Sequence, residues 1–546
     1  MTNYADLHNP NKTPQREKAR KDQVKNYAGG YVFKINPMEQ LARFLILGSD
    51  APTYYASEQT LTRENARVVE QCWLDNPIGT ADLIKSVSQE GRAPRQNPLI
   101  FALALGALSP KEESRAAAYA ATVACCRIPT HLFMWAEFLQ KLGAGNGPGK
   151  VKVFARWLEA RDTGNLAYAM VKYQSRHSFN HQRIIHKSNK GAGRSGSDVD
   201  AMDILHRRAL YSWTCGREYN PELLPDVVQS MQRAMASEDP KVWLKEIEDH
   251  NLPWEALPTK ARREADIWTA LIPKMGLTAL IRNLNVMTEV GAIGPMNANN
   301  AIVAHRLTDI EELRRARIHP FNVLVALRTY ASGKGFKGNK TWNPEKSVVN
   351  ALDEAFYKSF KAVPPTGQRI MLAVDVSGSM GGSWGVGHTI MNTNITPREA
   401  AGAMAMITEK TEPNTMVTAF STNIKPVDLS SRRRLDDVLK TLDDIPMGGT
   451  DCAKPMQYAE REGIPVDTFV IYTDNETWAG RSGHPFQALQ NYRRKMSLPN
   501  AKLITVAFTS TGFSIADPSD ANMLDIVGFD SAAPELMNTF MTSSIS

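Results

Sequence analysis

The chain has 546 residues, 42% of them apolar and 22% charged, with a formal net charge of +7. That length exceeds what a single core usually supports, so more than one domain is expected. No apolar run approaches the ~20 residues of a membrane helix, and the polar, basic first 29 residues read against a secretory signal, which sets the expected location in the cytoplasm. The five cysteines (Cys72, Cys125, Cys126, Cys215 and Cys452) are scattered, which argues against a disulfide framework, and without paired CxxC elements structural zinc is not expected.

Residues 1–29, with NKTPQREKARKDQVKN, read as a mobile basic arm. From Gly30 to about Phe360 the pattern is helical. PMEQLARFLIL, KEESRAAAYAATVACC, THLFMWAEFLQKL, VKVFARWLEA, DAMDILHRRALYSW and PKVWLKEIEDH carry apolar residues at three- and four-residue steps. Breakers such as GAGNGPGK and SNKGAGRSGSD separate them. Many short helices joined by short links predict an α-solenoid of stacked helix pairs without a clean repeat period.

Within this region KYQSRHSFNHQRIIHKSNKGAGR, Lys172 to Arg194, holds Lys172, Arg176, Arg183, Lys187, Lys190 and Arg194, three histidines (His177, His181, His186) and no acid. Tyr173 and Phe179 are interleaved. Cations neutralise phosphate and rings stack exposed bases, so the run is a candidate RNA surface, against the plainer reading of a solvated basic helix. As one helix it would set Lys172 and Arg176 one turn apart. LTALIRNLNVM and RRARIHPFNVLVALRTY bury leucines and valines at helical spacing, while Arg282, Arg314, Arg315 and Arg317 either line an inner surface or cap helix ends.

Beyond the glycine- and lysine-rich loop GKGFKGNKTWNPEK and a last helix around VVNALDEAFYKSF the texture changes, and a boundary falls near Pro364–Pro365. IMLAVDV, TMVTAF, DTFVIYTD and KLITVAF are compact β-branched runs. TPREAAGAMAMITEK, RRRLDDVLKTL, CAKPMQYAEREG and PFQALQNYRRKM between them are helical. This alternation predicts an α/β doubly wound parallel sheet. Thr396, Pro397 and Glu399 supply an N-cap, a proline at the first helical position and a capping box.

Ligands gather at the carboxyl ends of parallel strands. MLAVDVSGSM puts Asp375, Ser377 and Ser379 there, MGGTD adds Thr450, and VIYTDNE adds Asp474. Five oxygen donors, two of them carboxylates, suit a divalent cation, Mg²⁺ first and Mn²⁺ or Ca²⁺ as alternatives. Taken alone, Asp-x-Ser-x-Ser is also an ordinary capped turn. Serine nucleophile chemistry lacks both a G-x-S-x-G elbow and a base, and two-metal cleavage lacks its carboxylates, so no enzyme is expected.

DQVKNYAGGYVFKI, LARFLILGSDAPTYY, VKYQSRHSFNHQRI, MGLTALIRNL, ARIHPFNVLVALRTYASGKG and MLAVDVSGSM occur in this order, from about Asp22 to Phe529. Together the chain resembles the Ro sixty-kilodalton autoantigen family, and its metal loop resembles the metal-ion-dependent adhesion site of von Willebrand factor A domains. The resemblance implies a TROVE module of HEAT-like repeats closed into a monomeric ring over residues 30–363, with an A domain at 364–546 bridging the ring's ends. It implies Y-type small noncoding RNA on an outer basic surface and single-stranded 3′ ends of misfolded or fragmentary RNA in a central hole. It also implies an exoribonuclease partner such as polynucleotide phosphorylase. Lys172, Arg176 and His181 match positions of Y RNA contact, with Arg183, Lys187, Arg282 and Arg317 as further RNA candidates. Ser188-Asn189 departs from the family's Ser-His. The rival reading is a metal-dependent protein-interaction module in which the A domain captures an acidic group of a partner.

Overall fold

The structure, a computed structural model, describes residues 12–48, 66–173, 175–176, 179–188, 201–335, 340–361, 363–381, 393, 395–428, 435–446, 448–509 and 511–543. Strands β1 (Gln23–Lys25) and β2 (Tyr31–Lys34) open the chain, and the short hairpin β3 (Ser175–Arg176) and β4 (Phe179–Asn180) interrupts the helices. The A domain contributes β5 (Ile370–Asp375), β6 (Thr415–Phe420), β7 (Ile424–Pro426), β8 (Thr468–Thr473), β9 (Lys502–Ala507), β10 (Phe513–Ser514) and β11 (Met523–Val527).

The helical phases read from sequence are the ones that form. PMEQLARFLIL is the helix Pro37–Leu47, with Asn36 and Glu39 closing a capping box. PLIFALALGAL fills the helix Asn97–Ala107 and its C-cap Leu108, buried from Pro98 to Ala107; its hydrophobicity serves the solenoid core. Helices Pro77–Gln89, Glu112–Cys125, Pro148–Glu159, Thr163–Lys172, Asp226–Ala236, Pro240–His250 and Ala265–Leu271 pack along the arc, followed by Leu277–Glu289, Asn299–Thr308, Pro320–Ala331 and Lys346–Lys358.

The arc closes on itself. His319 Nε2 meets the Arg92 carbonyl at 3.0 Å, and Asn322 Nδ2 donates to the Pro94 carbonyl at 3.1 Å. The A domain grips both ends of this seam. On the early side, Arg43 donates to the Thr511 and Phe513 carbonyls at 2.7 and 2.9 Å and pairs with Asp525. Arg92 forks onto the buried Asp530, with Nε at 3.0 Å and Nη2 at 2.5 Å. On the late side, Arg328 pairs with Glu399, Lys410 lies 3.9 Å over the Tyr357 ring, and Phe321 meets Phe529 edge-on at 5.0 Å.

The main sheet runs β11-β9-β8-β5-β6-β7, parallel except for the antiparallel edge strand β7. β5, β8 and β9 are buried along their whole length, the pattern of a sheet covered on both faces. Strand order reverses at β5, since β6 lies on one side and β8 on the other, so the switch point falls between Asp375 and Asp474. The helix Pro397–Thr411 starts with the capping box read from sequence.

The mobile arm expected over residues 1–29 is corrected for residues 12–29. β1, β2 and β10 form a three-stranded antiparallel sheet against the A domain. The fully buried Gln15 donates to Asp451 Oδ1 at 2.7 Å and accepts from Thr477 Oγ1 at 2.6 Å and from the Gly480 amide at 3.1 Å. Polar side chains keep this segment in place because every amide bond they offer is met in a dry setting. Residues 1–11 lie outside the described residues.

Candidate metal centre and cation surfaces

Asp375 ends β5 and Asp474 follows β8, so adjacent strands deliver both carboxylates to one crevice. Asp375 Oδ1 accepts the Ser377 amide at 2.8 Å and Oδ2 accepts the Thr473 hydroxyl at 2.7 Å, which fixes the carboxylate plane. Ser377 and Ser379 hydroxyls stand 3.2 Å apart, and Ser379 also bonds Asp474. The Gly378 amide donates to the Gly448 carbonyl at 3.3 Å, which draws in the glycine loop that carries Thr450. Thr450 is itself held by Trp478 and Ala479 amides on its carbonyl at 3.0 and 2.9 Å. Side-chain bonds therefore join Ser377, Ser379 and Asp474, Asp375 holds the Ser377 amide, and the loop carrying Thr450 is tied to theirs through backbone. The glycine-rich insert at 382–392 lies outside the described residues.

Burial pushes the Asp375 carboxyl up, with the Asp474 carboxylate adding to it, and burial likewise raises Asp474. Sequence reading missed Glu476, a third buried carboxyl here. It is pushed up to about 8 by burial and then by Asp474; one oxygen accepts the Ala28 amide at 2.9 Å and the other has no partner. The two buried aspartates, with Glu476 beside Asp474, favour added positive charge, and the donor set is all oxygen, so the residues fit a hard divalent cation. Among the described residues no three His, Cys, Asp or Glu side chains converge as ligands, so Ser377, Ser379 and Thr450 would have to complete the shell. Such an ion would supply a Lewis-acidic position for an incoming oxygen anion.

Gly30 sits where the N-terminal hairpin touches this loop. A Cβ there would lie 1.9 Å from the Thr477 carbonyl, so only glycine permits the approach. Asn26 Nδ2 donates to the same carbonyl at 2.8 Å. The N-terminal segment thus buttresses the strand end that carries Asp474.

The basic run divides differently from a single helix. Lys172 ends the helix Thr163–Lys172, the hairpin β3–β4 follows, and a new helix runs from His181 to Lys187 with Asn180 as its cap. Lys172 and Arg176 therefore do not share one helical face; the side chain of Arg176, residues 177–178 and residues 189–200 lie outside the described residues. His181 is corrected as a contact residue. It is 2% exposed, its ring packs edge-on against Phe133 at 5.0 Å, and burial holds its pKa down at about 3. Phe179 is likewise core, with Arg183 stacked over it at 4.1 Å. Lys187 donates to Asn146 Oδ1 at 2.9 Å.

The fold adds Lys150 to this group. It is 5% exposed, and its pKa is lowered by burial and by the neighbouring Lys187 and Arg183. Among the described residues no acid pairs with Lys150 or with Lys172, whose ammonium lies 5.5 and 5.7 Å from the Tyr168 and Tyr173 rings. A second cation group forms where the ring closes. Arg282 and Arg317 are exposed and line a common crevice, and Arg127 is lowered by burial and then by Arg317. Arg314 instead pairs with Glu311 at 2.9 Å, a local helix-surface role.

A doubly wound sheet with oxygen donors at its switch point, set into the seam of a closed helical solenoid, defines a ring protein with a von Willebrand factor A-type domain. The family model described as the TROVE domain matches residues 24–211 and 249–329, and that described as the Ro60 vWA domain matches 369–541. The chain is 36% identical over 547 residues to RNA-binding protein RO60 of Deinococcus radiodurans, covering 100% of each. It is 32% identical to RNA-binding protein RO60 of Caenorhabditis elegans, covering 97% of this chain and 92% of that one. The crystal structure of the Deinococcus radiodurans RO (RSR) protein aligns at a TM-score of 0.67 and 36% identity, covering 93% of this chain and 99% of that chain. The chain belongs to the Ro60 family.

Proposed function

We propose that this chain is a non-enzymatic RNA-binding ring of noncoding RNA quality control in the cytoplasm. Structured Y-type RNA lies on the cation surface around Lys150, Lys172, Arg183 and Lys187. Single-stranded 3′ ends of misfolded or fragmentary RNA enter the ring, and the whole serves as scaffold for an exoribonuclease such as polynucleotide phosphorylase. The observation that carries the reading is the group Lys150–Arg183–Lys187, in which a nearly buried ammonium is held among like charges and no described acid compensates it. That arrangement is costly unless polyanion arrives, because phosphate repays the desolvation of the lysine and releases counterions. The relatives named RNA-binding protein RO60 support the same class of ligand.

The test is titration of a small stem–loop RNA with a single-stranded tail against rising salt. Lys150→Ala with Lys187→Ala should weaken binding at least tenfold and flatten the salt slope by one to two. Unchanged affinity and slope would remove this surface from RNA binding. Labelled single-stranded RNA should stay intact with the pure chain and Mg²⁺.

A second reading, metal-dependent capture of an acidic group on a partner protein, is favoured by the buried oxygen cluster at Asp375, Ser377, Ser379, Thr450 and Asp474. Pull-downs with and without chelator separate the two: an EDTA-sensitive protein partner without RNA favours the second.

A further inference from the structure

The segments LTALIRNLNVM and ARIHPFNVLVALRTY supply solenoid core on one face, and their opposite faces form a crevice of about 400 Å³ between the helices Leu277–Glu289 and Pro320–Ala331. That volume falls in the range of small-ligand sites. Its floor is apolar, with Ile281 and Val325, and two guanidinium groups, Arg282 and Arg317, stand with it. Two amides line the same space. Asn285 sits one step past Arg282 on its helix face and has no hydrogen-bond partner among the described residues, while Asn322 spends its Nδ2 on the Pro94 carbonyl at 3.1 Å and keeps its oxygen. Neither arginine has a described acidic partner.

This is an unusual way to finish a solenoid surface. An ordinary solvated helix face carries mixed charge, whereas here Thr278, Ile281, Arg282 and Asn285 recur at three- and four-residue steps toward a concave space. Paired guanidiniums suit a phosphate, an apolar strip suits the face of a heterocycle, and a free amide suits a base edge. We propose that this crevice is a nucleotide pocket: Arg282 and Arg317 hold the phosphate, the base lies over Ile281 and Val325, and Asn285 reads its edge. An amide matches the N6–H and N7 of adenine bidentately, so adenine is the preferred base. The proposal rests on the RNA-binding reading only for its source of nucleotide, a single-stranded chain as opposed to a free mononucleotide.

The experiment has two arms on the full chain. Calorimetric titration with AMP, UMP, CMP, GMP, adenosine and inorganic phosphate tests the pocket itself. AMP is expected to bind tightest, Arg282→Ala to weaken it at least tenfold, and Asn285→Leu to lower AMP affinity toward that of UMP while inorganic phosphate binding is unchanged. Photocrosslinking of an oligoadenylate bearing one azidoadenine tests the source, with adducts expected in peptides 277–289 and 317–331 and lost in Arg282→Ala. Thermal midpoints within a degree or two of the parent exclude misfolding. Equal, weak binding of all four mononucleotides, insensitive to both substitutions, overturns the pocket even if the chain binds RNA elsewhere. AMP binding that depends on Arg282 without oligoadenylate crosslinks assigns the pocket to free nucleotide and overturns only the single-stranded source.

Discussion

His319 makes the closed seam sensitive to acid, and the size of the effect follows from its contacts. Its Nδ1 accepts the Phe321 amide at 3.1 Å, capping the helix Pro320–Ala331, and its Nε2–H donates to the Arg92 carbonyl at 3.0 Å across the seam. The Nδ1 bond requires the neutral ring, whereas the Nε2–H bond survives protonation, and burial holds the pKa down from 6.5 to about 4. A depressed histidine pKa means that the unfolded chain binds the extra proton first. Stability is therefore full above about pH 6.5, falls as pH drops through the window, and levels off below about pH 4. The proton linkage costs about 2 kcal/mol at pH 5 and about 3 kcal/mol at full protonation. His319→Asn keeps a capping oxygen and removes the titration. Urea midpoints followed by tryptophan fluorescence at a series of pH values should show a parent curve that declines more steeply than the variant between about pH 6.5 and 4, by roughly 1.4 kcal/mol per pH unit at most. His181 titrates in both proteins and cancels in the difference. Parallel curves for parent and variant would refute the account of the seam.

Three other outcomes are expected. Asp530→Ala should cost about 2–4 kcal/mol, because it leaves the Arg92 fork unpaired and uncaps the Ala532 amide held at 2.9 Å; a double-mutant cycle with Arg92→Ala should return a coupling above about 1 kcal/mol. Mg²⁺ should raise the thermal midpoint of the parent and leave Asp375→Asn unmoved, checked by differential scanning calorimetry with and without EDTA, since a cation that binds only the folded site stabilises by mass action. Gly30→Ala should destabilise by about 2 kcal/mol or more and speed proteolysis within residues 12–35, the Thr477 carbonyl leaving no space for a methyl group.

The helical and strand phases were legible because each is a local pattern. Helix Pro37–Leu47 and strands β5, β6, β8 and β9 sit where the apolar spacing put them. That Asp375 and Asp474 meet was legible for a topological reason, since strand ends in a parallel sheet gather on one edge. Strands β1 and β2 were not, because QVK and YVFK are too short to show alternation and their partner β10 lies at the other end of the chain. Lys150 was hidden because its helix joins the basic run only through tertiary packing. His181 carried a signal that composition obscured: with Ile184 and Ile185 it sits at three- and four-residue steps, which marks the inward face of its helix. It was the family resemblance, set above that spacing, that placed the histidine among the RNA contacts.

The strap of residues around Gln15 has a consequence for how the molecule is made. Gln15 and Gly480, whose amide donates to the Gln15 side chain, are 465 positions apart. At ribosomal rates of about 5–20 residues per second, the first strands wait roughly 20 to 90 seconds before their docking surface emerges. Through that interval a nascent ring has an unclasped seam and an unpaired β-edge, so the window of greatest vulnerability is translational and closes only when the final domain is born.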